Sequence, residues 1–348
     1  MPAISGGMAD DELTCVGLFS GIGGLELGAE RASFRVVACI DIDERRIRSL
    51  RSNRPHWNPI RADIRGLGAK DLLELAGLRC GELDILVGGP PCEPFSKARL
   101  WLGRSYRDAD LVYRFMMMVR HIRPSAFVLE NVPELAGSPG IAVLHKALSL
   151  VSGYRVTLWK LDAVRYGVPQ KRRRLFIVGV RGRGFSLPTP PPPTHGAGCE
   201  NPEVTAGQAI GKLDDGIVRP YELPSGKWAH LLKEVPPGWN YLWFTELGGG
   251  PRLFKPRSRY WLFLLKLHPD KPSWTITSRP APLAGPFHWR GRRLRIEEIK
   301  LLQSFPLSWK IYGSYNQKRE QLGDATPPKL AAHVFKQVKS VMERNRSS

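Results

Sequence analysis

From Thr14 onward, short apolar runs alternate with amphipathic stretches. Cys15 to Leu18 and Arg35 to Ile40 are two such runs, separated by a glycine turn and a segment of helical period, which is the opening of a βαβ unit. Leu83 to Val87, Ala126 to Leu129 and Leu175 to Val180 repeat the theme, each closed by turn or polar residues, with helical patterns between them. Strands alternating with helices predict an α/β, Rossmann-like, doubly wound and mostly parallel sheet. The regularity stops at Gly182. Five of the six residues from Pro188 to Pro193 are proline, which can continue neither a helix nor a central strand, so a stiff connector and a domain boundary are expected there. The stretch to about Ser273 is rich in Pro, Gly, Trp and basic residues without a period, and predicts a second, smaller irregular domain. Trp239, Trp243 and Trp261 are expected to form its core in place of scarce aliphatic residues, with stacking on nucleic-acid bases as the other reading. Ile296 to Phe305 regains helical period, and Pro327 to Met342 reads as a terminal helix with proline at its start. The expected division is a disordered N-terminus (1–12), a catalytic domain (13–183), an irregular domain (184–273) and a C-terminal segment whose helix returns to the catalytic domain (274–348).

Charge changes the picture from fold to partner. The 348 residues carry 52 Lys+Arg against 32 Asp+Glu, a net charge of +20. The excess is +7 up to Val180 and +13 after it, which makes nucleic acid the first candidate partner. No apolar run approaches the roughly 20 residues of a membrane-spanning helix. Residues 1–12 have no basic, apolar signal pattern. The five scattered cysteines form no CxxC pair, which argues against a disulfide framework and a zinc site and fits a reducing cytoplasm.

Three stretches carry candidate chemistry. The turn Phe19-Ser20-Gly21-Ile22-Gly23-Gly24-Leu25 follows a strand and opens a helix, where glycines let backbone approach a ligand. By itself such a turn is as often purely structural. Asp41 ends the second strand twenty residues beyond Gly21, where such folds place an acid on ribose hydroxyls, and Asp63 follows the third apolar stretch; together they point to an adenosine-bearing ligand. Next, Gly88-Gly89-Pro90-Pro91-Cys92-Glu93 follows a strand. A cysteine on a rigid turn at a strand's C-terminal edge suits a nucleophile, whereas Cys15 and Cys39 sit inside apolar runs and read as core. Glu130, in Glu130-Asn131-Val132 at the end of the neighbouring strand, is either a cap for the following turn or an acid paired with Cys92. The third stretch is Gln170-Lys171-Arg172-Arg173-Arg174. A strand's period of two would put Arg172 and Arg174 on one face and Arg173 on the other, leaving a solvated basic face and a phosphate or base contact both open.

With these residues in order, the sequence resembles the bacterial cytosine-C5 DNA methyltransferases through nearly the whole chain. Phe19 to Leu25 resembles the family's glycine motif, Pro90-Pro91-Cys92 its catalytic motif, and Glu130-Asn131-Val132 its Glu-Asn-Val motif. Gln170, Arg172 and Arg174 are similar to its Gln-x-Arg-x-Arg motif. Arg292 to Leu294, Leu302 to Pro306 and Gly323 to Pro328 resemble its late elements. The unmatched part, about Gly184 to His268, is where that family carries its variable target recognition domain. Glu93, Asp324 and Asp41 stand where the family commonly has Gln, Asn and Glu. Ser96 to Leu111, with Gly103 and several basic residues, corresponds to its mobile catalytic loop.

The resemblance implies S-adenosyl-L-methionine as cofactor and double-stranded DNA as substrate. Its cofactor-binding set would be Phe19, Gly21, Ile22, Gly24, Asp41, Ile42, Asp63, Ile64, Pro91, Leu111, Asp324 and Ala325. It implies that Cys92 attacks carbon 6 of a flipped cytosine, that Glu130 bonds ring nitrogen 3 and the exocyclic amine, that Arg174 holds the base oxygen, and that Arg172 supports the loop or a phosphate. A monomer without metal, cytoplasmic and nucleoid-associated in a prokaryote and belonging to a restriction-modification system, is the matching expectation. Two alternatives stay open. A tRNA cytosine-C5 methyltransferase would keep every catalytic residue but usually carries a Cys-Phe-Thr tripeptide, which is missing between residues 184 and 275. A non-catalytic DNA-binding relative would follow if Glu93 disabled Cys92.

Overall fold

The computed structural model describes residues 12–91, 110–138, 140–182 and 187–346. Cys92, Glu93, most of the Ser96 to Leu111 segment and residues 1–11 lie outside that set. Seven strands form one sheet: β1 (Thr14–Leu18), β2 (Arg35–Asp41), β3 (Pro59–Arg61), β4 (Ile85–Gly88), β5 (Ala126–Asn131), β6 (Tyr154–Asp162) and β7 (Arg173–Arg181). Their order is β3-β2-β1-β4-β5-β7-β6. The first five run parallel, and β7 is antiparallel to both β5 and β6. The doubly wound α/β expectation therefore holds.

One element differs from the expectation. The pattern predicts only helix between β5 and the last strand; Gly140–Leu148 is helical, yet Tyr154–Asp162 is a strand. It is the sheet's outermost strand, paired with β7 alone, so its half-buried, mixed composition carries no continuous apolar run. The third apolar stretch, before Asp63, is the short strand β3 of three residues, as expected.

Along the strands alternate side chains serve two cores, as a period of two demands. Cys15, Val87, Val128 and Val178 face one core, closed by α1 (Gly24–Arg31) and, from the far end of the chain, by α7 (Ile296–Leu302) and α9 (Pro328–Arg346). Val16, Leu86, Phe127 and Ile177 face the other, closed by α3 (Ala69–Leu75), α4 (Asp110–Ile122) and α5 (Gly140–Leu148). Helix α2 (Glu44–Asn53) flanks β2 and β3, α6 (Ala206–Ile210) packs on α7, and α8 (Tyr315–Asp324) precedes α9.

The proline run lies against the sheet. Trp159 Nε1 donates to the Pro188 carbonyl at 3.2 Å, and the Tyr166 hydroxyl donates to that of Pro191 at 2.9 Å. Ala206 and Ile210 belong to the first core, so residues up to about 213 pack with the sheet domain. A separate apolar cluster appears only later, around Leu231, Leu232, Val235, Tyr241, Phe244, Leu264, Leu283 and Phe287. These residues make that core, and of the three expected tryptophans Trp243 alone packs against it, half-buried. Trp239 and Trp261 are 40% and 43% exposed, and each packs edge-to-face on another tryptophan, Trp243 and Trp274, with ring centroids 5.5 Å apart. Aliphatic residues scattered through the segment converge by folding, which a scan along the chain cannot register. Arg295 ties the segment back: its Nε donates to Glu222 at 2.6 Å, and the Arg293 amide donates to the Glu222 carbonyl at 2.8 Å.

Candidate active site

A cavity of about 430 Å³ opens at the carboxyl ends of β1, β2, β4 and β5, the edge where parallel α/β sheets bind ligands. Its wall begins with the glycine turn. Phe19 (φ 56°) and Gly21 (φ 57°) are both left-handed, and a side chain on Gly21 would meet nothing within 4 Å, so the turn leaves open space above its backbone. Gly24 is small for another reason: a Cβ there would sit 2.2 Å from the Thr326 carbonyl. It lets the start of α1 meet the segment between α8 and α9. Asp41, buried at the end of β2, accepts the Gly21 amide at 2.8 Å and the Asp43 amide at 2.9 Å. Those two bonds fix the carboxylate beneath the turn. Ile42 next to it is 59% exposed on the cavity rim. Asp63 accepts the Arg65 amide at 2.9 Å, and Ile64, Leu111, Ala325 and Pro91 complete the wall.

Glu130 reaches the same cavity from β5, and Arg174 from β7, because the antiparallel pairing sets Glu130 opposite Phe176 and so brings the two side chains close. Arg174 Nε lies 2.8 Å from Glu130 Oε1, with both side chains largely buried. Burial pushes the Glu130 carboxyl above its ordinary value, against the pull of the Arg174 and Arg172 guanidinium groups. An acid so placed retains a proton more readily than an exposed glutamate. Asn131, one residue on, donates from Nδ2 to the Pro90 carbonyl at 3.0 Å and accepts the Val132 amide at 2.9 Å. It fastens the Pro90-Pro91 turn to the end of β5, and Cys92 is the next residue in the chain.

Two expected residues stand elsewhere. Ile22 is buried in the first core, and its carbonyl accepts the Trp309 indole at 3.0 Å; it does not line the cavity. Arg172 is also off the wall. Its guanidinium is 1% exposed and donates to the carbonyls of Ile276 (3.0 Å), Gly323 and Ala325 (3.3 Å), so it holds the late segments against β7 and is sealed from any phosphate. Arg173 points the opposite way, exposed beside Asp162, as the strand period requires. Sequence reasoning missed Arg46, Thr326 and Arg279 on the wall. Thr326 lay inside the quoted Gly323 to Pro328 motif, and Arg46 lay in a polar helix pattern that gave no sign of it.

This layout has a cleft of about 430 Å³ beside a buried acid and arginine, with a cysteine following the proline turn in sequence. The family model described as C-5 cytosine-specific DNA methylase matches residues 13–215 and 273–340. The chain belongs to this family. It is thus a DNA cytosine-C5 methyltransferase, and the unmatched interval contains most of the separate apolar cluster. The methyltransferase is 36% identical to Type II methyltransferase M.SacI of Streptomyces achromogenes, over 96% of this chain and 93% of that relative. It is 30% identical to Type II methyltransferase M1.HphI of Haemophilus parahaemolyticus, over 94% and 86%. Among solved structures, a prophage-encoded Escherichia coli protein assigned as a DNA modification methyltransferase superposes with a TM-score of 0.71 at 22% identity, covering 95% of this chain and all of that one. That likeness speaks for the fold. Among the described residues no helix is long and apolar enough to cross a membrane, and no cluster of ligating side chains could hold a metal ion.

Proposed function

We propose that this methyltransferase uses S-adenosyl-L-methionine to methylate carbon 5 of a cytosine rotated out of duplex DNA, within a specific site and as part of a restriction-modification system. The Glu130–Arg174 pair beside the Pro90-Pro91 turn carries the reading. The cavity suits the cofactor: Gly21 leaves open space above the turn, and the buried Asp41 carboxylate and exposed Ile42 offer a polar and an apolar contact for an adenosine. Phe19, Gly21, Gly24, Asp41, Ile42, Asp63, Ile64, Pro91, Leu111, Asp324 and Ala325 would hold it. When bound, it supplies an electrophilic methyl group.

The protein's own residues do the rest. Carbon 5 of cytosine is a poor nucleophile and its edge is stacked in the duplex, so the base must enter the cavity. The Cys92 thiolate adds to carbon 6 and pushes an electron pair toward ring nitrogen 3. A protonated Glu130 donates to that nitrogen and receives the exocyclic amine, so the ring becomes enamine-like and carbon 5 can take the methyl. Arg174 holds the base oxygen and keeps Glu130 in place. As carbon 5 takes the methyl, nitrogen 3 returns its proton to Glu130; a base or water then removes the carbon 5 proton, that electron pair reforms the ring double bond, and Cys92 leaves as thiolate. Residues between about 216 and 272 would read the DNA sequence, and the smaller domain would begin between 184 and that point. A monomer in a prokaryotic cytoplasm, working on the nucleoid, accords with this chemistry.

Fluorine at carbon 5 of the target cytosine tests the sequence of steps. Addition and methylation can proceed, but fluorine cannot leave as a cation, so the protein should remain covalently attached. The expected result is a denaturation-resistant adduct on fluorinated duplex with cofactor, lost in Cys92→Ala. Adduct on fluorinated tRNA alone would overturn the DNA reading, and no adduct on either would point to an inactive relative.

A further inference from the structure

Arg46 is the third residue of α2, and its side chain lies on the cofactor cavity between two carboxylates. Nη2 donates to Asp324 Oδ2 at 2.7 Å, and Nη1 stands 3.7 Å from Asp41 Oδ2. The Asp324 bond is the single hydrogen bond the Arg46 side chain makes among the described residues, although a guanidinium carries five N–H donors. The other arginines on the wall each have a carboxylate partner of their own. Arg174 faces Glu130, Arg279 donates to Glu320 at 2.6 Å, and Arg65 lies between Asp63 and Asp110. Asp324 lines the same cavity and is 41% exposed.

Arg46 therefore presents unused guanidinium donors beside Asp324, while Asp41, its second and more distant partner, is already held by the Gly21 and Asp43 amides. An α-amino acid group is complementary to that pattern: its carboxylate takes two N–H donors in a planar fork, and its ammonium takes the aspartate. The two residues are 278 apart in sequence and meet across the cavity. We propose that Arg46 and Asp324 together form the subsite that reads the zwitterionic amino-acid end of the cofactor. The assignment rests on the cofactor reading above. It also explains how an aspartate is tolerated at the end of α8, since without Arg46 its charge would repel the ligand's carboxylate.

Calorimetric titration with two ligands tests it without turnover. S-adenosylhomocysteine carries the amino-acid end, and 5′-methylthioadenosine keeps the nucleoside but lacks it. Arg46→Ala should weaken S-adenosylhomocysteine by about tenfold or more, the usual loss for a charged hydrogen bond, and leave methylthioadenosine unchanged. Asp324→Asn, which keeps size and shape, should give a smaller loss confined to the same ligand. Equal weakening of both ligands in both variants, or weakening of neither, would overturn the subsite and leave the pair as a tie between α2 and α8. A wild-type protein that binds neither ligand would overturn the cofactor reading and the subsite with it.

Discussion

At the scale of single residues, Glu26 shows how burial can store a pH dependence beneath a binding turn. Its side chain is fully buried, packed so closely under β1 that a Cβ on Gly17 would lie 2.0 Å from its carboxylate oxygen. Burial raises its pKa from 4.5 to about 7, with the Ser20 hydroxyl pulling back. The folded protein thus keeps a proton that the unfolded chain gives up. The contribution of Glu26 to stability is full below pH 4.5, falls as pH climbs toward 7, and levels off above. Glu26→Gln should remove that slope, so that its stability relative to wild type improves by about 3 kcal/mol between pH 4.5 and 8, measured by urea denaturation. An unchanged difference across that range would mean that Glu26 is ionised in the fold. The chemistry-bearing residues Asp41, Glu130 and Arg174 were legible because each follows a local mark: a strand end, a turn or a basic run. Arg46 was not legible, since its role exists only where Asp324 comes to meet it.

At the scale of elements, the glycine turn and the segment between α8 and α9 behave as one unit. Gly24 touches the Thr326 carbonyl, and Gly28 meets Ala331 at the start of α9, where a Cβ would lie 2.3 Å away. A methyl group at Gly24 cannot be absorbed by a flexible side chain, because the obstacle is backbone. Gly24→Ala should destabilise the fold by about 1–3 kcal/mol and also weaken cofactor binding, because both sides of the contact line the cavity. Thermal melting alongside ligand titration would check this; normal values of both would show that the two segments can slide apart freely. The glycine motif was visible in the sequence, but half its purpose is to admit a helix that arrives three hundred residues later.

On the scale of the whole molecule, the chain after the proline run divides between two apolar clusters. Pro188, Pro191, Ala206 and Ile210 are buried on the sheet domain, and a distinct apolar cluster starts only at Leu231. Replacing residues 216–272 with a flexible linker should abolish site-specific methylation while preserving cofactor binding, at the loss of Leu267 from the first core. Removing 184–272 should lower thermal stability further, because it strips Ala206 and Ile210 from the core as well. If both truncations retained wild-type stability, those contacts would be dispensable. The apolar period and the turn residues alone determined the strand-helix alternation as far as β5, the order of the motifs and the sheet edge to which they belong, because these are properties of neighbouring residues. Tertiary structure decided the antiparallel setting of β7, the burial of Arg172 under distant carbonyls, the exposure of the tryptophan pairs and the Arg46–Asp324 contact. Each depends on which segments return to which face of the sheet, and that is fixed by the joint burial of apolar surface from both ends of the chain.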